Sequence, residues 1–140
     1  MSLKEQDRQV MVILHLEKSD KMLQELDVQL HAQLWGLAAN RLYYALFHAV
    51  SAMFISDRHE VGTHRGDVGR FGLLYVQTGF FTKEEGHLYG RLQGLREDGD
   101  YNCSIDVARD DLERYIEPTM ELIAKIKEYI KNKHNNNGNN

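Results

Sequence analysis

Between Leu42 and Ile55 the chain carries no charged side chain, and the polar groups in and beside this run are Asn40, Arg41, Tyr43, Tyr44, His48 and Ser51. Polar groups in an otherwise apolar helix need partners or a purpose. Seven residues make nearly two helical turns, so Arg41 and His48 share one face, about 10 Å apart along the axis. Tyr44 sits between them, at three- and four-residue spacing. A permanent cation, a phenol and an imidazole suit a phosphodiester. Arginine grips two phosphate oxygens in a fork, histidine moves a proton near neutral pH, and tyrosine donates a hydrogen bond or stacks on a base. RNA brings its own nucleophile, the 2′-hydroxyl, so this set can cleave it without a metal.

The same residue types also serve structure. Arg41 can pair with a carboxylate such as Asp98 or Asp100, and His48 can be a satisfied core histidine. Three classes of function therefore stay open: an RNA-cleaving enzyme, a module that binds a nucleotide or a partner without chemistry, and a structural dimer surface that Arg41 and His48 fasten.

Helices must position these residues. From Leu3 to about Leu30 the apolar residues Ile13, Leu16, Leu23, Leu26 and Leu30 form one stripe of an amphipathic helix. The second helix, about Ala32 to Ser56, is apolar all round in its middle and belongs at the centre of a bundle or at an oligomer interface. A loop over 57–62 leads to Thr63, the cap of a third helix through about Val76. Gly66, Gly69 and Gly72 weaken that helix unless another backbone packs close to it. Thr82 caps a fourth helix to about Glu97, Asp98 to Asn102 read as a turn, and Ser104 starts a fifth helix that Pro118 should bend or split. No strand pattern and no internal repeat is visible. The expected fold is all-α, an up-and-down bundle of four or five helices, with one domain over 1–131 and a frayed polar tail over 132–140.

Composition narrows the function. The net charge of -4 lacks the basic footprint of a duplex-DNA binder, though a local basic groove for RNA remains open. A single cysteine, Cys103, rules out an internal disulfide and fits a reducing cytoplasm. The first ten residues are charged and do not read as a signal peptide, and no apolar run reaches the roughly 20 residues of a membrane span. The expectation is a cytoplasmic protein without a membrane segment.

The stretch Asn40-Arg41-Leu42-Tyr43-Tyr44-Ala45-Leu46-Phe47-His48-Ala49 resembles the motif of the small stand-alone HEPN proteins of bacteria and archaea. Gly62-Thr63-His64-Arg65-Gly66 and Leu95-Arg96-Glu97-Asp98-Gly99-Asp100-Tyr101 are similar to two further motifs of that family, in the family's order. The resemblance covers about residues 5 to 130. It implies a helical bundle that forms a homodimer, with Arg41 and His48 as the catalytic pair of a metal-independent RNase. Asn40, Tyr44, His64, Arg96, Asp98 and Tyr101 would be its binding residues. It also implies a toxin-like role, or a non-catalytic one, beside a minimal nucleotidyltransferase partner. The substrate or ligand would be RNA or a nucleotide, and no cofactor is required. In this sequence Leu42 follows the arginine, where active members often carry a polar residue; Asn40 is the nearest polar group.

The remaining candidates are bland. His59, His64, Asp57 and Glu60 match no standard metal-ligand spacing, and one histidine among asparagines, His134, is a weak site, so no metal is expected. His15, His31 and His87 lack partners at telling spacing and are expected on the surface. Trp35 and Phe47 are expected as core or interface anchors.

Overall fold

The computed structural model describes residues 4–101 and 106–138. Among the described residues five α-helices follow one another: α1 (Glu5–His31), α2 (Trp35–Ser56), α3 (His64–Phe71), α4 (Lys83–Tyr101) and α5 (Arg109–Gly138). Among the described residues there is no strand. The long helices α1, α2, α4 and α5 form an up-and-down bundle, and α3 is a short insert between α2 and α4. Cys103, Ser104 and the end of the tail lie outside the described residues.

Thirteen residues of α2 are buried, from Ala38 to Ile55, because a helix without charge must be covered on several sides. α1, α4 and α5 all pack against it. The hairpin of α1 and α2 turns within three residues, with Gln33 in the left-handed region at φ 60. The Gln33 and Leu34 amides donate back to the Leu30 and Gln29 carbonyls, which closes the end of α1. Polar contacts then lock the pair in antiparallel register. Arg8 Nη1 donates to the Ile55 carbonyl at 3.0 Å, and the fully buried Ser19 hydroxyl donates to the Ala45 carbonyl at 2.7 Å.

The inward stripe of α1 differs from the expected one at a single place. Leu26 is buried and Leu16, Leu23 and Leu30 are half-buried, but Ile13 is 55% exposed. The covered face of α1 passes instead through Arg8, His15 and Ser19, whose polar tips all find partners on α2 or at its end.

α3 is capped by Thr63, whose Oγ1 accepts from the Gly66 amide at 3.0 Å. A Cβ on Gly66 would stand 2.7 Å from that hydroxyl oxygen, so glycine is what lets the cap close. No close neighbour explains Gly69 or Gly72. The helix relaxes there into one wide turn, Gly72–Val76, whose Gln77 amide reaches five residues back. Thr82 and Glu85 form a reciprocal capping box at the start of α4.

α2 starts at Trp35 rather than near Ala32, and three larger differences from the sequence expectation follow. The Asp98–Tyr101 stretch is not a turn but the last turn of α4. Asp100 is held there by Asn40 and Arg96, and a Cβ on Gly99 would lie 3.6 Å from the Gly36 carbonyl of α2, so the two helices nearly touch. Pro118 does not split α5, since Leu112, Leu122, Ile123 and Ile126 anchor the helix in the core on both sides of it. α5 also continues through the asparagine-rich stretch to Gly138, growing from a stem held by Ile130, Tyr129 and Lys133.

That stem meets Asp57, at the end of α2. Its Oδ2 accepts from the Tyr75 hydroxyl at 2.7 Å and the Tyr129 hydroxyl at 2.8 Å, while Lys133 pairs with Oδ1. Burial and the Asp57 carboxylate raise both phenols above their ordinary pKa, so they stay protonated as donors. One carboxylate thus ties α2, the wide turn after α3, and α5. Asp57→Ala leaves two hydroxyls and an ammonium without their acceptor and is expected to cost about 2–4 kcal/mol in urea unfolding. Gln33→Gly removes the left-handed penalty and is expected to raise stability by about 1 kcal/mol in the same measurement.

Candidate functional site

α2 is not covered all the way round. Asn40, Arg41, Tyr44, Phe47 and His48 form a stripe along it that stays only half-buried, while Leu42, Tyr43, Ala45 and Leu46 beside them are sealed in the core. The stripe is flanked by α1 on one side and by α3 and α4 on the other. Arg41 and His48 thus share one face, as their spacing requires, and the Arg41 side chain is 34% exposed.

Neither expected acidic partner holds Arg41. Its Nε lies 2.7 Å from Glu25 Oε2 on α1, a charge contact rather than an aligned hydrogen bond, and its Nη1 donates to Asn40 Oδ1 at 2.7 Å. Asn40 Nδ2 donates in turn to Asp100 Oδ2 at 2.8 Å. The guanidinium is therefore held on two sides, at Nε and at Nη1, while the side chain as a whole stays half-exposed.

His48 is paired too, and by a residue expected to sit alone on the surface. His15 on α1 is half-buried, and its Nδ1 lies 3.0 Å from His48 Nδ1. The two rings have centroids 5.3 Å apart. Burial pushes the His48 imidazole down to about 4, helped by His15 and Lys18. Burial and Lys18 push His15 below its usual value as well. Both rings are thus neutral at pH 7. His31 and His87 are exposed, as expected. The antiparallel hairpin brings His15 to α2: the facing pairs are symmetric about Gln33 next to the turn, at Glu25 and Arg41, and drift out of symmetry by two to three residues farther along, at Ser19 with Ala45, His15 with His48 and Arg8 with Ile55.

On the other flank the Tyr43 hydroxyl and His64 Nδ1 lie 2.7 Å apart, and the His64 ring packs on Phe47 and Tyr44 at 4.8 and 5.7 Å. Burial and Arg96 lower the His64 pKa, against Asp67 and Glu97. Arg96 is only 4% exposed. Its guanidinium lies over the Tyr43 and Tyr44 rings at 5.0 and 5.7 Å, and Nη1 donates to the Tyr101 hydroxyl at 3.1 Å. It supports the aromatic floor of the stripe from beneath. Tyr101 is exposed.

Asp98 is not brought to this cluster. It faces away, into a cleft between α4 and α5 with Arg91, Val107 and Arg114. Asp57, considered as a metal ligand with His59 and His64, is occupied by Tyr75, Tyr129 and Lys133. Among the described residues no three His, Cys, Asp or Glu side chains gather where a metal ion could bind. The side chain of His134 lies outside the described residues. Four clefts lie beside α5, lined by other residues than Arg41 and His48. No described helix is long and apolar enough to cross a membrane.

Known proteins agree with this fold. The family model for the HEPN domain matches residues 12–129. A "UPF0332 protein" of Thermotoga maritima is 33% identical over 97 residues, which span 67% of this chain and 74% of that protein. The protein of Methanocaldococcus jannaschii named "Putative toxin MJ0142" is 22% identical over 115 residues, 82% of this chain and 78% of its own length. A "UPF0332 protein" of Archaeoglobus fulgidus is 26% identical over 117 residues, 84% of this chain and 93% of its own. With a matched domain that runs from the first third of α1 to the last third of α5 and contains the whole α2 stripe, this chain belongs to the HEPN family.

Proposed function

We propose that the chain is a toxin-like, metal-independent endoribonuclease whose reacting groups are Arg41 and His48. The observation that carries this reading is the half-exposed stripe on α2, which sets a guanidinium and a neutral imidazole on one side of an otherwise buried helix. The toxin name of the relative from Methanocaldococcus jannaschii supports it.

In this reading Arg41 holds the scissile phosphate and stabilises the charge that builds on the phosphorane. His48 acts as the base that takes the 2′-hydroxyl proton, a role suited to a ring that stays neutral well below pH 7. Asn40 orients Arg41, and Tyr44 offers a hydroxyl or an aromatic face to the nucleotide. A homodimer that apposes two such stripes would enclose an RNA strand, which one open stripe cannot do. The products would be a 2′,3′-cyclic phosphate and a 5′-hydroxyl. The protein would act in the cytoplasm.

A second reading has its own support. Glu25 and Asn40 already occupy part of the Arg41 guanidinium, at Nε and at Nη1. The stripe would then dock a nucleotide or a minimal nucleotidyltransferase without chemistry. His64, Arg96 and Tyr101 would shape the docking face, while Asp98 would stay outside it.

Purified protein incubated with RNA in EDTA decides between the two. Cleavage is expected, with cyclic phosphate ends, and Arg41→Ala and His48→Ala should each lower the rate by about 10²-fold or more. RNA left intact by the wild type, alone and after removal of any bound partner, overturns the enzyme reading and favours docking. The pH profile adds a sign. The base works only when unprotonated, so activity should persist as pH falls below 6.5 and fail on the approach to about 4. An acid limb at the ordinary histidine value would remove His48 from that role.

A further inference from the structure

The contact between His15 and His48 imposes a condition on both rings. A neutral imidazole has one N–H and one lone pair. Two Nδ1 atoms at 3.0 Å make a hydrogen bond only if one carries the proton and the other does not. The rings must therefore be opposite tautomers. The ring protonated at Nδ1 has a bare Nε2, and its partner has Nε2–H.

The surroundings favour moving a proton over storing one. Lys18 on α1 is the one charged neighbour that bears on both rings, and it opposes an imidazolium. The acid on this side of α1, Glu25, is occupied by Arg41. On α2 the Tyr44 and Phe47 rings stand 6.3 and 5.2 Å from the His48 ring. Beyond them His64 of α3 packs on Phe47, Arg96 of α4 lies over Tyr44, and Glu97 is bound by Arg65. A carboxylate that could orient His48 and stabilise its charged form is thus replaced by a second histidine.

We propose that His15 is a positioning residue for His48, and that the pair forms an electroneutral proton relay running between the two Nε2 atoms. This rests on the reading of the stripe as an RNA-cleaving face. In the forward step the bare Nε2 of His48 takes the proton of the attacking 2′-hydroxyl as the O–P bond forms. The bridging proton moves from His48 Nδ1 to His15 Nδ1, and the Nε2–H of His15 passes its proton to water, which delivers it to the departing 5′-oxygen. Both rings end neutral with their tautomers exchanged, and exchange with solvent resets them. No buried charge forms at any stage, which a site that holds both imidazoles deprotonated requires.

Nitrogen-15 NMR of the histidine side chains tests the pair without reference to activity. At pH 7 the wild type should show one Nδ1–H ring and one Nε2–H ring among His15 and His48. In His15→Ala the His48 titration should climb from about 4 toward 6.5. Identical tautomers, or a His48 titration indifferent to His15, overturn the proposal. His15→Asn sets an amide near the place of Nδ1 and can hold His48 but cannot pass a proton on. It should bind 2′-deoxy-substituted, uncleavable RNA as the wild type does and cleave RNA at least tenfold more slowly, while cleavage at the wild-type rate overturns the relay. A wild type that cleaves no RNA overturns the enzyme reading and the relay's role in it, and the spectra then still decide whether the tautomers are opposed.

Discussion

The register between α1 and α2 governs everything else in this molecule. It is fixed by a buried hydroxyl, Ser19, donating to the Ala45 carbonyl, with Arg8 on the carbonyl of Ile55 one end away and Glu25 on Arg41 at the other. A helix interior has no spare donors, so the Ala45 carbonyl accepts from Ser19 in addition to its own helical bond, and only one sliding position of α1 allows it. A shift by one residue would turn His15 and Glu25 about 100° away from α2 and leave the Ser19 hydroxyl buried without its partner. The Arg41 clamp and the histidine pair both follow from that one alignment.

A second constraint decides where the site lies. Three long helices, α1, α4 and α5, do not cover every side of α2, and the part left open is the part whose residues tolerate water. Phe47 and Tyr44 are the apolar cost of that gap. They are relieved by packing on each other and on His64, with the buried Arg96 guanidinium beneath Tyr44 and Tyr43. Asp57 does the corresponding work at the far end, where two phenols and an ammonium converge on one carboxylate. The open face and the closed end are each organised around one buried charge.

The helices were legible in the sequence because their periodicity is strong and their caps are ordinary. Thr63 and Thr82 start α3 and α4 through the hydrogen bonds their types suggest. The shared face of Arg41 and His48 was legible from spacing alone. What was not legible depends on contacts between elements. Gly99 and Asp100 look like a turn until Gly36 and Asn40 on α2 are known to meet them, and Pro118 looks like a break until the core on both sides is known to hold the helix. His15 looks like a surface residue on its own helix, because its partner is 33 residues away. Counting outward from the α1–α2 turn places His15 opposite Ser51, so the drift in pairing set by the packing of the two helices is needed to bring it to His48.

The same geometry accounts for the apolar residue after the arginine. Leu42 is fully buried, since one step along α2 turns the side chain about 100° from the Arg41 direction and into the core. A polar group there would have no water and would need a partner among apolar neighbours. Asn40, one step the other way, falls on the open stripe and within reach of α4. It uses its carbonyl for Arg41 Nη1 and its amide for Asp100, so both of its polar ends are engaged. Support for the arginine thus comes from the residue before it, and the acid that completes the support belongs to α4. The extra turn of α4 past Glu97 is therefore what carries Asp100 to Asn40, and through Asn40 it helps to set the direction of the guanidinium.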